Sequence, residues 1–188
     1  MPKIVNKEEM RDAILTAAET VFLRDGVTQA KMLDIAAEMG VAKGTIYLYF
    51  PSKDALISAL VDRFFQSAHK RLSGLPVPAT VGEFQDMLLQ LLEEHSPVQS
   101  ELLRFFTLFG GALKDPKILA PLKGFFDAFA DYLATVLRDL CPTLPDPIGT
   151  ARSLVSVFDG LTLHRGLFGH NPTADTTKRL IAALLHTS

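Results

Sequence analysis

Residues 34–53 read Asp-Ile-Ala-Ala-Glu-Met-Gly-Val-Ala-Lys-Gly-Thr-Ile-Tyr-Leu-Tyr-Phe-Pro-Ser-Lys, and this stretch decides the fold. Met32, Ile35, Ala36 and Met39 recur at helical spacing and define one apolar face. Gly40 follows, and glycine readily adopts the left-handed backbone that ends many helices. A second short helix is predicted to begin at once, so the pair is typical of a helix-turn-helix.

The second helix of this pair is predicted to turn a small and polar face outward. Its apolar residues Val41, Ile46 and Phe50 are expected to face inward. Small residues at its start let the backbone approach a groove wall, and N–H groups at a helix start favour phosphate. Because residues 39–53 contain no acidic side chain, this face is predicted to bind DNA through groove and phosphate contacts. The outward residues are Ala42, Lys43, Gly44, Thr45, Tyr47 and Leu48.

The same stretch resembles the signature of the TetR family of bacterial transcription regulators. The matching residues are Asp34-Ile35-Ala36, residues 40–47, Tyr49-Phe50, Ser52-Lys53 and Leu56, and upstream Ile14, Ala17, Ala18, Phe22 and Gly26. The sequence departs from the family pattern where Ala30 and Lys31 replace the usual Thr or Ser, and where Ala42 replaces a Ser. The resemblance implies DNA contacts from Lys31, Ala42, Lys43, Gly44, Thr45, Tyr47, Leu48, Tyr49 and Lys53.

Charge alone argues against a nucleic-acid protein. The chain has a net charge of -2, with 19 Lys and Arg against 21 Asp and Glu. Any attraction to phosphate is therefore expected to be local, with few direct ion pairs and a modest salt dependence. One cysteine, Cys141, excludes an internal disulfide. Since no segment resembles a signal peptide or a membrane span, we expect a soluble cytoplasmic protein.

Periodicity predicts an all-helical chain of about nine helices, because no useful stretch alternates with period two. Residues 1–6 are expected to form a loose arm before a first helix over 7–24, and the fourth helix follows Pro51 and runs to about Ser73. We predict a helix-turn-helix domain over residues 1–53 and a helical-bundle domain for ligand binding and dimerisation over 54–188. The later helices are predicted over 80–94, 96–113, 116–140, 146–168 and 173–186, with Asp146 as a cap.

Aromatic residues cluster on two of these later helices at spacings of three and four. A phenylalanine-rich core explains them about as well as a pocket for an apolar or planar ligand, which helical bundles commonly form. The family resemblance implies such a small-molecule site in the second domain. The candidate lining residues are Phe105, Phe106, Phe109, Phe125, Phe126, Phe129, Tyr132 and His164.

The eighth helix is apolar nearly all round, and the last helix carries a matching apolar stripe. Such a helix is buried on both sides, either at the centre of one core or between two subunits. The resemblance implies a homodimer formed by the last two helices, which suits a reader of palindromic DNA. The candidate interface residues are Leu154, Phe158, Leu161, Arg165, Leu180, Ile181 and Leu184.

Other site chemistries find little support in the sequence. No metalloprotease, nucleophile-elbow or phosphate-loop motif occurs, and Glu93, Glu94 and His95 lack metal-ligand spacing. We therefore predict no catalytic residues, no metal and no cofactor. His164 and Arg165 are interpreted first as structural, and Cys141 gives weak support for a redox role.

Two functions remain open at this point. The first is a TetR-like repressor that binds a palindromic operator as a homodimer and is released by a small apolar or aromatic ligand. The second is a helical ligand-binding or interaction module that has lost DNA binding, motivated by Ala30, Lys31 and the acidic balance of the first domain. An enzyme is a distant third.

Overall fold

A computed structural model describes residues 7–92, 97–169 and 173–185, and of residues 97–100 it describes the backbone alone. This part of the chain holds nine α-helices, one short 3-10 turn and no strand, so the all-helical prediction is confirmed. Several predicted features lie outside the described residues. They are the arm at residues 1–6, the cluster at 93–95, the connection at 170–172 and the end of the last helix at residue 186. The helices are α1 (Lys7–Asp25), α2 (Met32–Met39), α3 (Lys43–Tyr49), α4 (Lys53–Ser73), α5 (Val81–Leu91), α6 (Pro97–Phe109), α7 (Pro116–Leu140), α8 (Pro147–Phe168) and α9 (Ala174–Leu185).

Capping side chains fix several helix starts. The Ser52 hydroxyl accepts the Ala55 N–H at 3.1 Å before α4, and Thr80 accepts from Glu83 at 3.2 Å before α5. Asp146 accepts the Gly149 N–H at 2.9 Å at the start of α8, which confirms the cap predicted there. Each bond satisfies a backbone donor that the first turn of a helix leaves without an intrahelical partner.

The chain divides into two compact units. Unit 1 comprises Met1–Gln66 and Phe105–Pro121, and unit 2 comprises Ser67–Arg104 and Leu122–Ser188. In unit 1, α2 packs on both α1 and α3 around side chains that include the fully buried Ile14, Ile35 and Ile46. This burial of three helices on one small core makes the outer face of α3 a fixed surface.

Unit 2 has its own core, built chiefly by α5, α7, α8 and α9. Its centre is formed by buried residues such as Phe84, Leu133, Leu137, Ala151 and Ile181. No helix in the described part of the chain is both long and apolar enough to cross a membrane.

Two helices end earlier than the periodicity predicts. The helix predicted over 96–113 ends at Phe109 and continues as a 3-10 turn at Gly110–Ala112. Paired glycines disfavour helix propagation, which explains the change at that point. The helix predicted over 80–94 ends at Leu91 in the described chain.

Candidate functional site

The turn between α2 and α3 is set by Gly40. Its φ of 66° lies in the left-handed region, and its N–H donates to the Ala37 carbonyl at 3.1 Å. The next N–H, of Val41, donates to the Ala36 carbonyl at 3.0 Å. These two bonds close α2 and redirect the chain into α3, as expected for a helix-turn-helix.

The start of α2 replaces its missing hydroxyl cap in another way. Lys31 offers no capping side chain, but the Asp34 carboxylate accepts the Lys31 N–H at 2.8 Å. This is the acidic half of a capping box, and it also places a negative charge at the positive end of the helix. Lys31 itself stays exposed.

The outer face of α3 carries the side chains expected there. Ile46 and Phe50 are buried beneath it, while Leu48 is 81% exposed and Tyr47 is 41% exposed. Ala42, Lys43 and Gly44 are exposed, whereas Thr45 and Tyr49 are half-buried. We call this set, Ala42, Lys43, Gly44, Thr45, Tyr47 and Leu48, the reading face.

Two cations on or beside the reading face are held by neighbours. The Lys43 ammonium lies 5.4 Å from the centroid of the Tyr47 ring, a cation–π contact that orients both side chains. The Lys53 ammonium donates to the Thr28 carbonyl at 3.0 Å, which ties the start of α4 to the loop before α2. Lys53 is half-buried, so its ammonium group contacts this loop whether or not it also contacts a phosphate.

Arg11 is part of this region and was missed by sequence reasoning. Its guanidinium carbon lies 4.3 Å from the centroid of the Phe50 ring, and Nη1 donates to the Tyr49 carbonyl at 3.4 Å. This places a positive charge at the carboxyl end of α3, where a cation is favoured. An isolated arginine on α1 gives no sequence signal that it reaches a residue 38 positions away.

The predicted ligand residues fall into both units, and each group is described in its own unit. In unit 1, Phe105 and Phe109 are fully buried, with ring centroids 5.2 Å apart, and Phe105 also contacts Phe64 at 4.9 Å. Phe106 is half-buried beside Phe105. These three rings build the core of unit 1, and their part in ligand binding stays a prediction.

In unit 2, the predicted rings join a cluster that spans three helices. We call it the unit 2 aromatic cluster, and it consists of His69, Phe125, Phe126, Phe129 and Phe158. Tyr132 stands apart, since its hydroxyl donates to the Pro76 carbonyl at 2.6 Å and partial burial raises the pKa of this phenol. His164 is exposed and packs on Phe168, with centroids 4.7 Å apart.

One acidic group in unit 2 was not singled out by the sequence. Asp159 lies in α8 between apolar residues, and burial raises the pKa of its carboxyl to about 7. A single aspartate within an apolar helix is the signal that could have identified it.

The predicted interface residues divide by burial. Leu154, Phe158 and Ile181 are buried within their own chain, whereas Leu161, Arg165 and Leu184 are half-buried. Leu180 is 41% exposed, and at the end of α8 Leu167 and Phe168 are 75% and 62% exposed. The exposed apolar surface of α8 and α9 therefore centres on Leu167, Phe168 and Leu180.

Known proteins resemble the chain along nearly its whole length. The chain is 28% identical over 188 residues to the HTH-type transcriptional regulator PksA of Bacillus subtilis, covering 96% of this chain and 90% of PksA. Among solved structures, a putative transcriptional regulator from Saccharomonospora viridis in complex with choline has a TM-score of 0.73 at 22% identity, covering 96% of this chain and 97% of its own. The multidrug binding protein EbrR complexed with malachite green has a TM-score of 0.70 at 22% identity, covering 95% and 99%.

Two family models match consecutive parts of the sequence. Residues 14–60 match the model of bacterial regulatory proteins of the tetR family, and residues 79–187 match the tetracyclin repressor-like C-terminal domain. The first match contains α2, α3 and the reading face, and the second contains the unit 2 aromatic cluster except His69. The chain belongs to the TetR family and is a DNA-binding transcriptional regulator.

Proposed function

We propose that this regulator is a repressor that binds a palindromic operator as a homodimer in the cytoplasm and is released by a small apolar or aromatic ligand. The observation that carries the proposal is the reading face: exposed Tyr47 and Leu48 stand on a helix whose opposite side is anchored by buried Ile46 and Phe50. Residues 41–53 add no acidic side chain that would repel phosphate. A helix held in this way can enter a major groove without rearranging.

Four residues of the reading face receive a role in this proposal. Lys43 contacts phosphate and fixes register, because its ammonium is exposed and already oriented by Tyr47. Tyr47 and Leu48 reach base edges or the sugar backbone, and Gly44 permits close approach. Two copies one turn of DNA apart would double these contacts, which is the reason for a palindrome.

Release by a ligand follows from a difference in affinity between two states of the dimer. A ligand in the second domain changes DNA affinity only if it binds one separation of the two reading faces more tightly than the other. We propose that α4 transmits this change, since its residues belong to unit 1 up to Gln66 and to unit 2 from Ser67. The two structural relatives named above were solved in complex with choline and with malachite green, which supports a small-molecule site in this chain as well.

The proposal is tested by selecting bound fragments from random and genomic DNA with the full chain. We expect enrichment of a palindrome by the wild type and its loss with Tyr47→Ala, while Tyr47→Phe separates the ring from the hydroxyl. Lys43→Ala should weaken binding to all fragments and lower the slope of log affinity against log salt by about 1 per subunit.

Lys70→Ala is the matched control, because Lys70 is an exposed lysine of α4 in unit 2. It should leave the selected sequence and the salt slope unchanged. Failure to enrich any fragment at low salt would contradict the proposal and favour the alternative, a helical ligand-binding module that no longer binds DNA.

A further inference from the structure

Two buried polar atoms on α8, one of them on the half-buried Asp159, have no hydrogen-bond partner within the described chain. They are the Asp159 carboxylate oxygen Oδ1 and the Thr162 hydroxyl, and Thr162 is fully buried. The two residues are three positions apart in one helix, so their side chains lie on the same face. Buried polar groups in native proteins are almost always paired, which makes this pair exceptional.

The residue before Asp159 belongs to the unit 2 aromatic cluster. Phe158, next to Asp159, packs on Phe129 with ring centroids 5.9 Å apart, and Phe129 stacks on Phe125 at 6.4 Å. Gly166 lies two turns after Asp159 on the same side of α8, and a Cβ built there would collide with Leu103 Cδ2 of α6. α6 therefore packs tightly on this side of α8.

No charge within the described chain compensates the carboxylate. Burial is the one cause that raises the pKa of Asp159 to about 7, and no nearby cation opposes it. A carboxylate in this position costs free energy when it is ionised, because burial removes part of its water without supplying a partner. A positively charged ligand would supply that partner, and aromatic faces attract cations as well.

We propose that Asp159 and Thr162 anchor the effector of this regulator, and that the effector is an organic cation with an aromatic or alkyl body. Asp159 pairs with the positive charge, Thr162 hydrogen-bonds to the charged group, and the unit 2 aromatic cluster holds the apolar body. The inference rests on the proposed function in one respect, since a bound cation is an effector only if the chain binds DNA.

The test uses two probes of the same shape and different charge, naphthylmethylammonium and neutral naphthylmethanol. Their affinities for the full chain are measured by titration calorimetry at about pH 8, where the carboxyl group is mostly ionised. We expect the cation to bind at least tenfold more tightly than the alcohol. Asp159→Asn should weaken binding of the cation by roughly ten- to a hundredfold, the range for a hydrogen bond to a charged group. The same variant should bind the alcohol with unchanged affinity.

Two further variants sharpen the result. Thr162→Val keeps the shape of the side chain and removes its hydroxyl, so it should weaken binding of the cation roughly two- to tenfold. Asp131→Asn removes an exposed carboxylate from α7 and should change neither affinity. Thermal unfolding of each variant shows that it is folded before titration.

The inference is overturned if the wild type does not prefer the cation, or if Asp159→Asn binds it as tightly as the wild type. The latter result would assign Asp159 a purely structural role. DNA binding is measured separately with the selected fragment and without either probe. Absence of DNA binding alongside charge-dependent probe binding would refute the proposed function but keep the cation site, so the two failures are distinguishable.

Discussion

A methyl group added at Gly44 would meet no atom within 4 Å apart from those of its chain neighbours and of the nearby backbone of its own helix. The fold therefore has room for a side chain at this helical position, where alanine is intrinsically better than glycine. We predict that Gly44→Ala raises the free energy of unfolding by up to about 1 kcal/mol and weakens binding to the selected DNA fragment by roughly tenfold or more, because the methyl group keeps the helix from the groove wall. Urea unfolding and fluorescence anisotropy measure the two effects.

Gly124→Ala provides the control for this prediction. Gly124 lies within α7, and a Cβ there also meets no atom within 4 Å outside its chain neighbours and the nearby backbone of its own helix. It should gain similar stability and keep full DNA affinity. If Gly44→Ala bound DNA as tightly as the wild type, close approach of the backbone at Gly44 would be ruled out.

The carboxyl group of Asp159 makes the free energy of unfolding depend on pH. Its pKa is raised from 3.8 to about 7 in the folded protein, so the folded state binds more protons than the unfolded state between these values. Stability therefore falls as pH rises from about 4 to about 7, and the loss is complete above that range. We predict that the stability of Asp159→Asn lacks this pH dependence. The unfolding free energy of the variant minus that of the wild type should therefore increase by roughly 2–3 kcal/mol from about pH 5 to about pH 8.

Urea unfolding at several pH values, in the absence of ligand, measures this difference. Asp131→Asn serves again as the control, because its carboxylate is exposed. An Asp159→Asn protein whose stability followed the wild type at every pH would show that the carboxyl group is not desolvated in solution.

At the scale of the helices, sequence reasoning succeeded where a single residue type controls the local backbone. Pro116 at the start of α7 and Asp146 before α8 were both identified, because proline and a capping carboxylate act on the backbone next to them. The α2–α3 turn was identified for the same reason, through Gly40.

The features that the sequence did not predict at this scale have a common physical cause. The predicted extension of α6 to Leu113 followed apolar spacing, which persists although Gly110 and Gly111 change the backbone to a 3-10 turn. The compensating cap by Asp34 and the contact of Arg11 with Phe50 both depend on side-chain positions in three dimensions. The burial of Asp159 depends on the packing of unit 2 and cannot be predicted from the period of α8.

At the scale of the whole molecule, the exposed apolar residues of α8 and α9 support the proposed homodimer. We predict that Leu180→Asp shifts the protein from dimer to monomer, because Leu180 is 41% exposed and a charge at the centre of an interface is strongly unfavourable. Light scattering after size exclusion measures the mass. Weakened binding to the palindrome should accompany the loss of the dimer.

Leu119→Asp is the control, since Leu119 on α7 is similarly exposed at 47% and lies outside the predicted interface. It should remain dimeric. A dimer that survived Leu180→Asp would exclude Leu180 from the interface and direct attention to Leu167 and Phe168.

The left-handed turn at Gly40 has a thermodynamic consequence for recognition. Because this turn and the buried Ile46 and Phe50 fix α3 before DNA arrives, complex formation need not order the reading helix. The conformational entropy that α3 loses on binding is then that of side chains such as Lys43 and Leu48. The heat-capacity change of binding then reports the apolar surface removed from water at the groove, without the large contribution that folding of a segment would add.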